Sequence, residues 1–172
     1  MIHVGIDPSL SATGIVGVSS DNEVLLNTTI GSNLKGVERL ADLKAKLSNV
    51  TQAYDVELRV VLEGYSYGSP GRRESLAEWG GVLRLSLHEM GIEYIEIPPT
   101  SLKKFLTNNG NANKLMVATT IQKVYQVEFG GNDNEFDAYG LAQMGRAIAG
   151  KSPVHAYQAD VLFKLKLGEK AK

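Results

Sequence analysis

The sequence predicts one α/β domain built on a five-stranded mixed sheet, in which three antiparallel strands precede two parallel ones and helices flank the sheet. Three apolar segments, residues 2–6, 12–18 and 23–30, follow one another with only short turns between them. After residue 30, helical and strand patterns alternate, as the crossover connections of parallel strands require. The chain has 172 residues, 43% of them hydrophobic, which suffices for one domain with its own core.

The first predicted helix lies in the segment GVERLADLKAKLSNV, residues 36–50. Its apolar residues recur at helical spacing with charged residues between them; they are Val37, Leu40, Leu43, Leu47 and Val50. Residues 58–63, LRVVLE, are short and almost fully apolar, which is typical of a strand buried on both faces of a sheet. We therefore expect an amphipathic helix followed by a parallel strand.

The second half of the chain repeats this alternation. A glycine- and proline-rich loop, residues 64–73, precedes a helix whose buried stripe is Leu76, Gly80, Leu83, Leu87 and Met90. Residues 92–97 give the fifth strand. Helices follow over 100–106 and 114–125, and a last helix begins near Asn134 with an apolar face of Ala138, Leu141, Ala142, Gly145, Ile148 and Ala149. Gly80 and Gly81 inside a helix indicate close packing, at a dimer interface for example, and Trp79 fits either a core or an interface.

Composition and charge exclude several classes of protein. The net charge is −1 and the isoelectric point is near 6.3, so DNA binding must depend on locally clustered Lys and Arg. No cysteine is present, which excludes disulfides and thiolate metal sites. His3, His88 and His155 show no metal-ligand spacing. No segment has the pattern of a membrane span or signal peptide, so we expect a cytoplasmic protein without a membrane partner.

Three acidic residues occupy positions that can converge. Asp7 ends the first strand, Glu63 ends the fourth, and Asp137 lies beside the apolar face of the last helix. The carboxyl ends of adjacent parallel strands share one edge of a sheet, and a helix crossing that edge would add the third acid. Individually they also fit an Asx turn before Pro8, a strand-end acid and a helix-surface charge. Together they predict one shared site.

Three close carboxylates repel one another and raise each other's pKa unless cations lie between them. Mg²⁺ prefers oxygen ligands and keeps waters that a phosphate can share. Two such ions, about 3.5–4 Å apart, would bind the attacking water and the leaving oxygen of a phosphodiester. The arrangement therefore predicts a two-ion Mg²⁺ site, at which Mn²⁺ is expected to substitute.

The segments GIDPSLSATG, VLEGYS, LAEWGGVLR, PPTSLKKFLTNNGNANK and NEFDAYGLA resemble, in this order, the motifs of RuvC-type Holliday junction resolvases, particularly their phage-like members. The resemblance runs from about residue 2 to 150. It implies a ribonuclease H-like fold, a homodimer, and Mg²⁺- or Mn²⁺-dependent nicking of two opposed strands of a four-way DNA junction. It also implies that Asp7, Glu63 and Asp137 are the catalytic metal ligands and that Pro8–Gly14 forms a tight hairpin turn.

The same resemblance suggests the division of the chain. Residues 1–151 would form the ribonuclease H-like nuclease domain, and residues 152–172 a C-terminal extension with a short helix and a flexible tail. No nucleotide cofactor is implied. A phage-encoded member would work in the cytoplasm of the host cell.

The fourth metal ligand departs from the family pattern. Many members have an acid three residues before the helical aspartate, where this chain has Asn134; Asp133 lies four residues before it. Both spacings place a side chain on the helical face of Asp137. Asn134 would bind through its amide oxygen, whereas Asp133 would add charge unless it caps the helix. We favour Asp133 slightly.

Basic and aromatic residues on the flanking segments are candidates for DNA contacts, although each fits an ordinary surface or core position as well. Lys114, which matches the family's lysine near the active site, is also a candidate catalytic residue. In the best-known members an aromatic ring after the fourth-strand acid inserts at the junction centre, and Tyr65 and Tyr67 flank that position here. The DNA-binding candidates are Tyr65, Tyr67, Arg72, Arg73, Lys103, Lys104, Asn113 and Lys114.

The predicted function is metal-dependent hydrolysis of a phosphodiester in a four-way or branched DNA, without a protein nucleophile. A related nuclease acting on flaps, branched DNA or RNA–DNA hybrids is one alternative. A junction-binding protein with a degraded site is another, favoured if Asn134 marks a lost ligand. A sugar kinase or actin-like ATPase shares a motif similar to GIDPSLSATG, but the chain is too short for its two lobes.

Overall fold

A computed structural model describes residues 1–64, 73–130 and 133–169. The strands are β1 (Ile2–Asp7), β2 (Thr13–Ser19), β3 (Val24–Ile30), β4 (Leu58–Glu63) and β5 (Tyr94–Ile97). The helices are α1 (Gly36–Gln52), α2 (Arg73–Glu89), α3 (Pro99–Thr107), α4 (Lys114–Thr120), α5 (Asp133–Ile148) and α6 (Ala156–Glu169). A π-helical turn, Ile121–Tyr125, continues α4, so the helix predicted over 114–125 changes its hydrogen bonding partway.

The five strands form one mixed sheet in the order β3-β2-β1-β4-β5, and its three antiparallel strands followed by two parallel ones agree with the sequence prediction. β1 is antiparallel to β2, which is antiparallel to β3, whereas β1, β4 and β5 are parallel to one another. In the register of β1 and β4, Ile6 lies opposite Leu62. The next residue of each strand, Asp7 and Glu63, therefore falls at the same edge of the sheet.

Helices cover both faces of the sheet. Alternate residues of β1 point to opposite sides: Ile2, Val4 and Ile6 pack with α1 and α2, whereas His3 and Gly5 face α5. The second face carries α3, α4, α5 and α6 over a separate apolar core that includes Val61 and Ile97. The edge that carries Asp7 and Glu63 is therefore flanked by α1 and α2 on one face and by α3 to α5 on the other.

Helix α5 lies directly on the two central strands because glycines allow the backbones to approach. A Cβ atom placed on Gly5 would lie 1.8 Å from the carbonyl oxygen of Ala138, and one on Gly14 would lie 2.2 Å from that of Asn134. No larger residue fits at either position without displacing the helix. The small residues of β1 and β2 thus fix the height of α5 above the sheet, and with it the position of Asp137.

Two expectations about α1 and α2 need correction or refinement. The apolar stripe predicted for α1 includes Val37, and this prediction is wrong: Val37 is 80% exposed, because the buried residues of the helix begin only at Leu43. Trp79 belongs to the core: it is fully buried, and its indole Nε1 donates to Thr13 Oγ1 at 2.9 Å. Gly81 is exposed, and a Cβ atom there would meet nothing within 4 Å, so packing inside the described chain does not require this glycine.

A buried polar network ties the end of α5 to the β2–β3 turn. The Arg146 guanidinium donates to Asn22 Oδ1 at 2.6 Å, to Gln143 Oε1 at 2.7 Å and to the carbonyl oxygen of Ser20 at 3.0 Å. The imidazole of His3 is fully buried beside this helix, and neither ring nitrogen has a hydrogen-bond partner. This network lies at the end of the sheet opposite Asp7.

The C-terminal helix α6 is 14 residues long, longer than the short helix expected from the sequence. Val161 of this helix is buried in the core of the second face, and Gln158 Nε2 donates to the carbonyl oxygen of Phe105 at 3.1 Å. Within the described ranges, none of the helices combines the length and apolarity needed to cross a lipid bilayer.

Candidate active site

Asp7 and Glu63 meet at the carboxyl edge of the sheet, as the sequence predicts. Asp7 is only 7% exposed, although it is the last residue of β1. The two carboxyl groups are joined by a hydrogen bond, with Asp7 as the donor and Glu63 as the acceptor. Asp137 lies near enough to raise the pKa of both groups, because α5 crosses this edge. The structure thus brings the three predicted acids together, and we call them the carboxylate site.

Burial is the main cause that raises the pKa values of all three groups in the carboxylate site. Burial, followed by the charges of Glu63 and Asp137, raises the pKa of Asp7 well above its usual value. Burial also raises the pKa of Glu63 to about 7. The pKa of Asp137 is raised by burial too, against the opposing effect of Lys114 and Lys103. A cation bound between these carboxylates would offset their mutual repulsion and the cost of burying their charge.

A cavity of about 660 Å³ opens onto the carboxylate site. Asp7, Glu63 and Asp137 line its floor together with Asn134, and Lys103 and Lys114 line the side formed by α3 and α4. Lys104 lies elsewhere: its Nζ is 3.6 Å from Asp160 Oδ2 of α6, because successive helical residues point in different directions. Of this predicted lysine pair, only Lys103 belongs to the site.

The two candidate fourth ligands have different surroundings. Asp133 is half exposed, and its Oδ2 lies 3.2 Å from Lys114 Nζ, so the two residues form an ion pair at the rim. Asn134 lines the cavity, and its Nδ2 donates to the carbonyl oxygen of Ala12 at 2.6 Å. Asp133 therefore positions a lysine, whereas Asn134 joins α5 to the turn after Asp7.

The turn that follows Asp7 is closed by its own hydroxyl groups. Thr13 Oγ1 donates to the carbonyl oxygen of Ser9 at 2.7 Å and accepts from the Ser9 amide at 3.1 Å. The same Oγ1 accepts from the buried Trp79 indole. Pro8 and these bonds fix the tight turn between β1 and β2, which keeps the Asp7 carboxyl group at the sheet edge. This local geometry explains why a buried strand ends on an acid followed by proline and hydroxyl residues.

Several predicted DNA-binding residues lie outside the described residues or have another role. Tyr65, Tyr67 and Arg72 fall outside the described ranges, and of Arg73 only the backbone, at the start of α2, is described. Asn113 caps α4, since its side-chain oxygen accepts from the Met116 amide at 2.9 Å. Their predicted DNA contacts stay predictions.

The donor set suits a hard divalent cation. Carboxylate oxygens are the ligands that Mg²⁺ prefers, and the buried Asp7–Glu63 pair supplies them in direct contact with each other. Across residues 1–64, 73–130 and 133–169, no three Asp, Glu, His or Cys side chains are close enough to enclose one ion. Asp7 and Glu63 are hydrogen-bonded to each other, and Asp137 lines the same cavity.

Sequence reasoning missed the α1 side of the cavity. Arg39 and Ser32 line this side, and Ser9 and Ser11 line it from the turn. No local pattern marks Arg39, which sits in an ordinary amphipathic helix segment. Only the pairing of β2 with β3, which places the start of α1 beside the Asp7 turn, brings it to the site.

This mixed sheet, with acids at the ends of its first and fourth strands and a third acid on the crossing helix, has the arrangement of the ribonuclease H-like fold class. A sequence model described as "Crossover junction endodeoxyribonuclease RuvC" matches residues 3–144. The chain is 32% identical over 143 residues to the crossover junction endodeoxyribonuclease RuvC of Ehrlichia canis (strain Jake), covering 81% of this chain and 92% of that protein. The chain belongs to the RuvC family of crossover junction endodeoxyribonucleases.

Solved structures agree with this fold. The Thermus thermophilus RuvC structure superposes with a TM-score of 0.71 at 19% identity, covering 90% of this chain and 100% of that one. T. thermophilus RuvC in complex with its Holliday junction substrate gives a TM-score of 0.70 at 20% identity, covering 90% and 99%. The yeast mitochondrial Holliday junction resolvase Ydc2 superposes with a TM-score of 0.56 at 16% identity, covering 98% of this chain and 85% of that one.

Proposed function

We propose that this chain resolves four-way DNA junctions by metal-dependent hydrolysis of phosphodiesters on two opposed strands. The observation that carries the proposal is the buried Asp7–Glu63 pair beside Asp137, open to a cavity with lysines on its rim. Membership of the RuvC family supports the four-way junction as substrate. A homodimer in the cytoplasm, of the host cell if the chain is phage-encoded, completes the proposal.

Asp7, Glu63 and Asp137 would hold the metal, with Asn134 better placed than Asp133 for a fourth contact because it lines the cavity. We propose two Mg²⁺ ions, with Mn²⁺ as a substitute. Bound ions would supply a water of lowered pKa and would offset negative charge on the phosphate during hydrolysis. No side chain of the protein serves as the nucleophile.

The chain's own residues bind and orient the DNA. Lys103 and Lys114 line the α3–α4 side of the cavity, where they would contact phosphates next to the scissile bond. Asp133 holds the Lys114 ammonium at 3.2 Å and so limits the rotamers that this long side chain explores. Repulsion between DNA phosphates and the buried acids favours occupation of the site by cations before DNA is engaged.

The test is cleavage of an immobile synthetic four-way junction beside linear duplex, flap and RNA–DNA hybrid, with Mg²⁺ or with EDTA. Paired nicks on opposed strands that require Mg²⁺ would support the proposal. Preferred cutting of flaps or hybrids would move the function to a broader nuclease.

Two observations favour a junction-binding protein without cleavage as the second candidate. Within the described chain no three acidic groups enclose an ion, and Asn134 stands where the family resemblance leads us to expect an acid. Calorimetric titration with Mg²⁺ separates the two candidates. A nuclease takes up the ion with loss in the Asp7→Asn variant, whereas a degraded site shows no uptake in either protein.

A further inference from the structure

The cavity beside the carboxylate site has a second basic side that the proposed function does not use. Arg39, in the first turn of α1, lines the same cavity as Asp7 and Glu63. Helix α1 packs on the face of the sheet opposite to α3, α4 and α5, which carry Lys103, Lys114 and Asp137. Positive charge therefore reaches the acidic edge from both faces of the sheet.

The guanidinium of Arg39 is held in place by a backbone hydrogen bond. Its Nε donates to the carbonyl oxygen of Leu34 at 2.8 Å. The loop before α1 is fixed in turn, because Lys46 Nζ donates to the carbonyl oxygen of Gly31 at 2.7 Å and the Leu34 amide donates to Ser32 Oγ at 3.3 Å. Among the described residues Arg39 forms no ion pair with a carboxylate.

Serine hydroxyl groups line the same cavity as this arginine. Ser9, Ser11 and Ser32 line the cavity with it, and the only side-chain hydrogen bond of the Ser9 and Ser11 hydroxyls within the described chain joins them to each other, at 3.3 Å. Gly31 brings the loop before α1 against the Asp7 turn, since a Cβ atom there would lie 2.2 Å from the carbonyl oxygen of Ser11. A guanidinium and hydroxyls that line one cavity can together bind the oxygens of a phosphate diester.

We infer that Arg39, with Ser9 and Ser11, binds a backbone phosphate of the DNA strand on the α1 side of the scissile bond. Lys103 and Lys114 would contact the strand on the other side. The strand would thus cross the sheet edge with a cation on either flank of the buried acids. This inference rests on the proposed function and adds a phosphate-binding residue to it.

The inference is tested by junction binding in an Asp7→Asn background, where cleavage is blocked. Arg39→Ala is expected to weaken binding about tenfold, equally for junctions of different sequence. The slope of log affinity against log salt concentration should fall by about 0.9, the value of one phosphate contact. Arg59→Ala is the matched control, because Arg59 is exposed and lines a different groove at the opposite end of the sheet. Equal affinities for the Arg39→Ala and Arg59→Ala proteins would overturn the inference.

Neutral methylphosphonate linkages in the DNA distinguish the loss of a phosphate contact by Arg39 from a change in the fold of the Arg39→Ala protein. One such linkage is placed at successive positions near the cut site. At the phosphate bound by Arg39 it should weaken binding by the Asp7→Asn protein and add nothing in the Asp7→Asn/Arg39→Ala protein, whereas at the phosphates bound by the lysines it should weaken both. Additive losses at every position would overturn the inference, since the arginine would then act only through the loop. If wild-type protein neither binds nor cuts four-way junctions, the proposed function itself fails, which is a different outcome.

Discussion

At the scale of single residues, the dominant feature is the electrostatic cost of the Asp7–Glu63 pair. Two carboxyl groups share a hydrogen bond in a buried position with a third acid beside them. Such a site binds protons when cations are absent, and protons and metal ions then compete for the same oxygens. The pKa of Glu63, about 7, places this competition close to neutral pH.

The first prediction concerns the stability of the metal-free protein. The pKa values of Asp7 and Glu63 are higher in the folded than in the unfolded protein, so proton binding to these groups stabilises the fold. This stabilisation is complete below about pH 4 and is lost as the pH rises toward about 7 and beyond. Asp7→Asn removes the repulsion, so its melting temperature should match that of wild type near pH 4 and exceed it by several degrees at pH 7.5 in EDTA. Thermal melts followed by circular dichroism measure this difference. A constant offset across the pH range would contradict the assigned pKa shift.

The second prediction concerns metal affinity. Because the carboxyl groups must lose protons before they bind Mg²⁺, affinity for the ion should rise steeply with pH up to about 7 and level off above the pKa of Asp7. Below pH 7 the half-saturating concentration should increase about tenfold or more per pH unit. Calorimetry at several pH values measures both the affinity and the number of protons released. Binding without proton release at pH 6 would exclude the raised pKa of Glu63.

At the scale of elements, the position of α5 decides whether the site forms. The sequence was sufficient to predict the five-stranded mixed sheet and the convergence of Asp7, Glu63 and Asp137, because apolar periodicity indicates the strands and the carboxyl ends of adjacent parallel strands share one sheet edge. It was insufficient for Val37, Trp79 and Arg39. Their environments depend on which turns of α1 and α2 reach the sheet, and local patterns carry no information about that distance.

The third prediction compares two glycines. Gly5→Ala is expected to destabilise the fold by about 3 kcal/mol or more and to reduce cleavage, since the added Cβ atom meets the backbone of α5 at Ala138. Gly81→Ala, in open space on α2, should be neutral or stabilise the fold by up to about 1 kcal/mol. Urea denaturation measures both changes. A tolerated Gly5→Ala would mean that α5 does not rest on β1 as described; a dimer weakened by Gly81→Ala would place that glycine at the predicted interface.

At the scale of the whole molecule, the two ends of the sheet differ in their response to pH. The carboxylate site loses stability as the pH rises, whereas the opposite end contains a buried histidine. Burial, then the charges of Arg146, Arg59, the N-terminus and Lys151, lowers the pKa of His3. A folded pKa below the unfolded value of about 6.5 means that the contribution of His3 to stability falls as the pH decreases through 6.5. Between about pH 4 and pH 6.5 this contribution therefore opposes that of the carboxylate site in the metal-free protein.

The fourth prediction isolates that histidine. His3→Gln replaces a titrating side chain with a neutral polar one, so on acidification from pH 6.5 to pH 5 its free energy of unfolding should rise relative to that of wild type by up to about 1.4 kcal/mol per pH unit. Urea denaturation at each pH gives the free energies of unfolding. The Asp7→Asn protein serves as the control, because its free energy of unfolding in this pH range should still include the titration of His3. If the free energy of unfolding changed equally with pH in wild type and His3→Gln, His3 would titrate with an ordinary pKa.

The most direct test of the central claim is cleavage of a cruciform on a supercoiled plasmid, where paired nicks give linear DNA and single nicks give open circles. Wild-type protein with Mg²⁺ should give linear product, and the Asp7→Asn protein should bind the cruciform without cutting it. Dimers mixed from the two proteins should give open circles. Linear product from the Asp7→Asn protein, or none from wild type at any Mg²⁺ concentration, would contradict the account of a metal-dependent carboxylate site that nicks opposed strands.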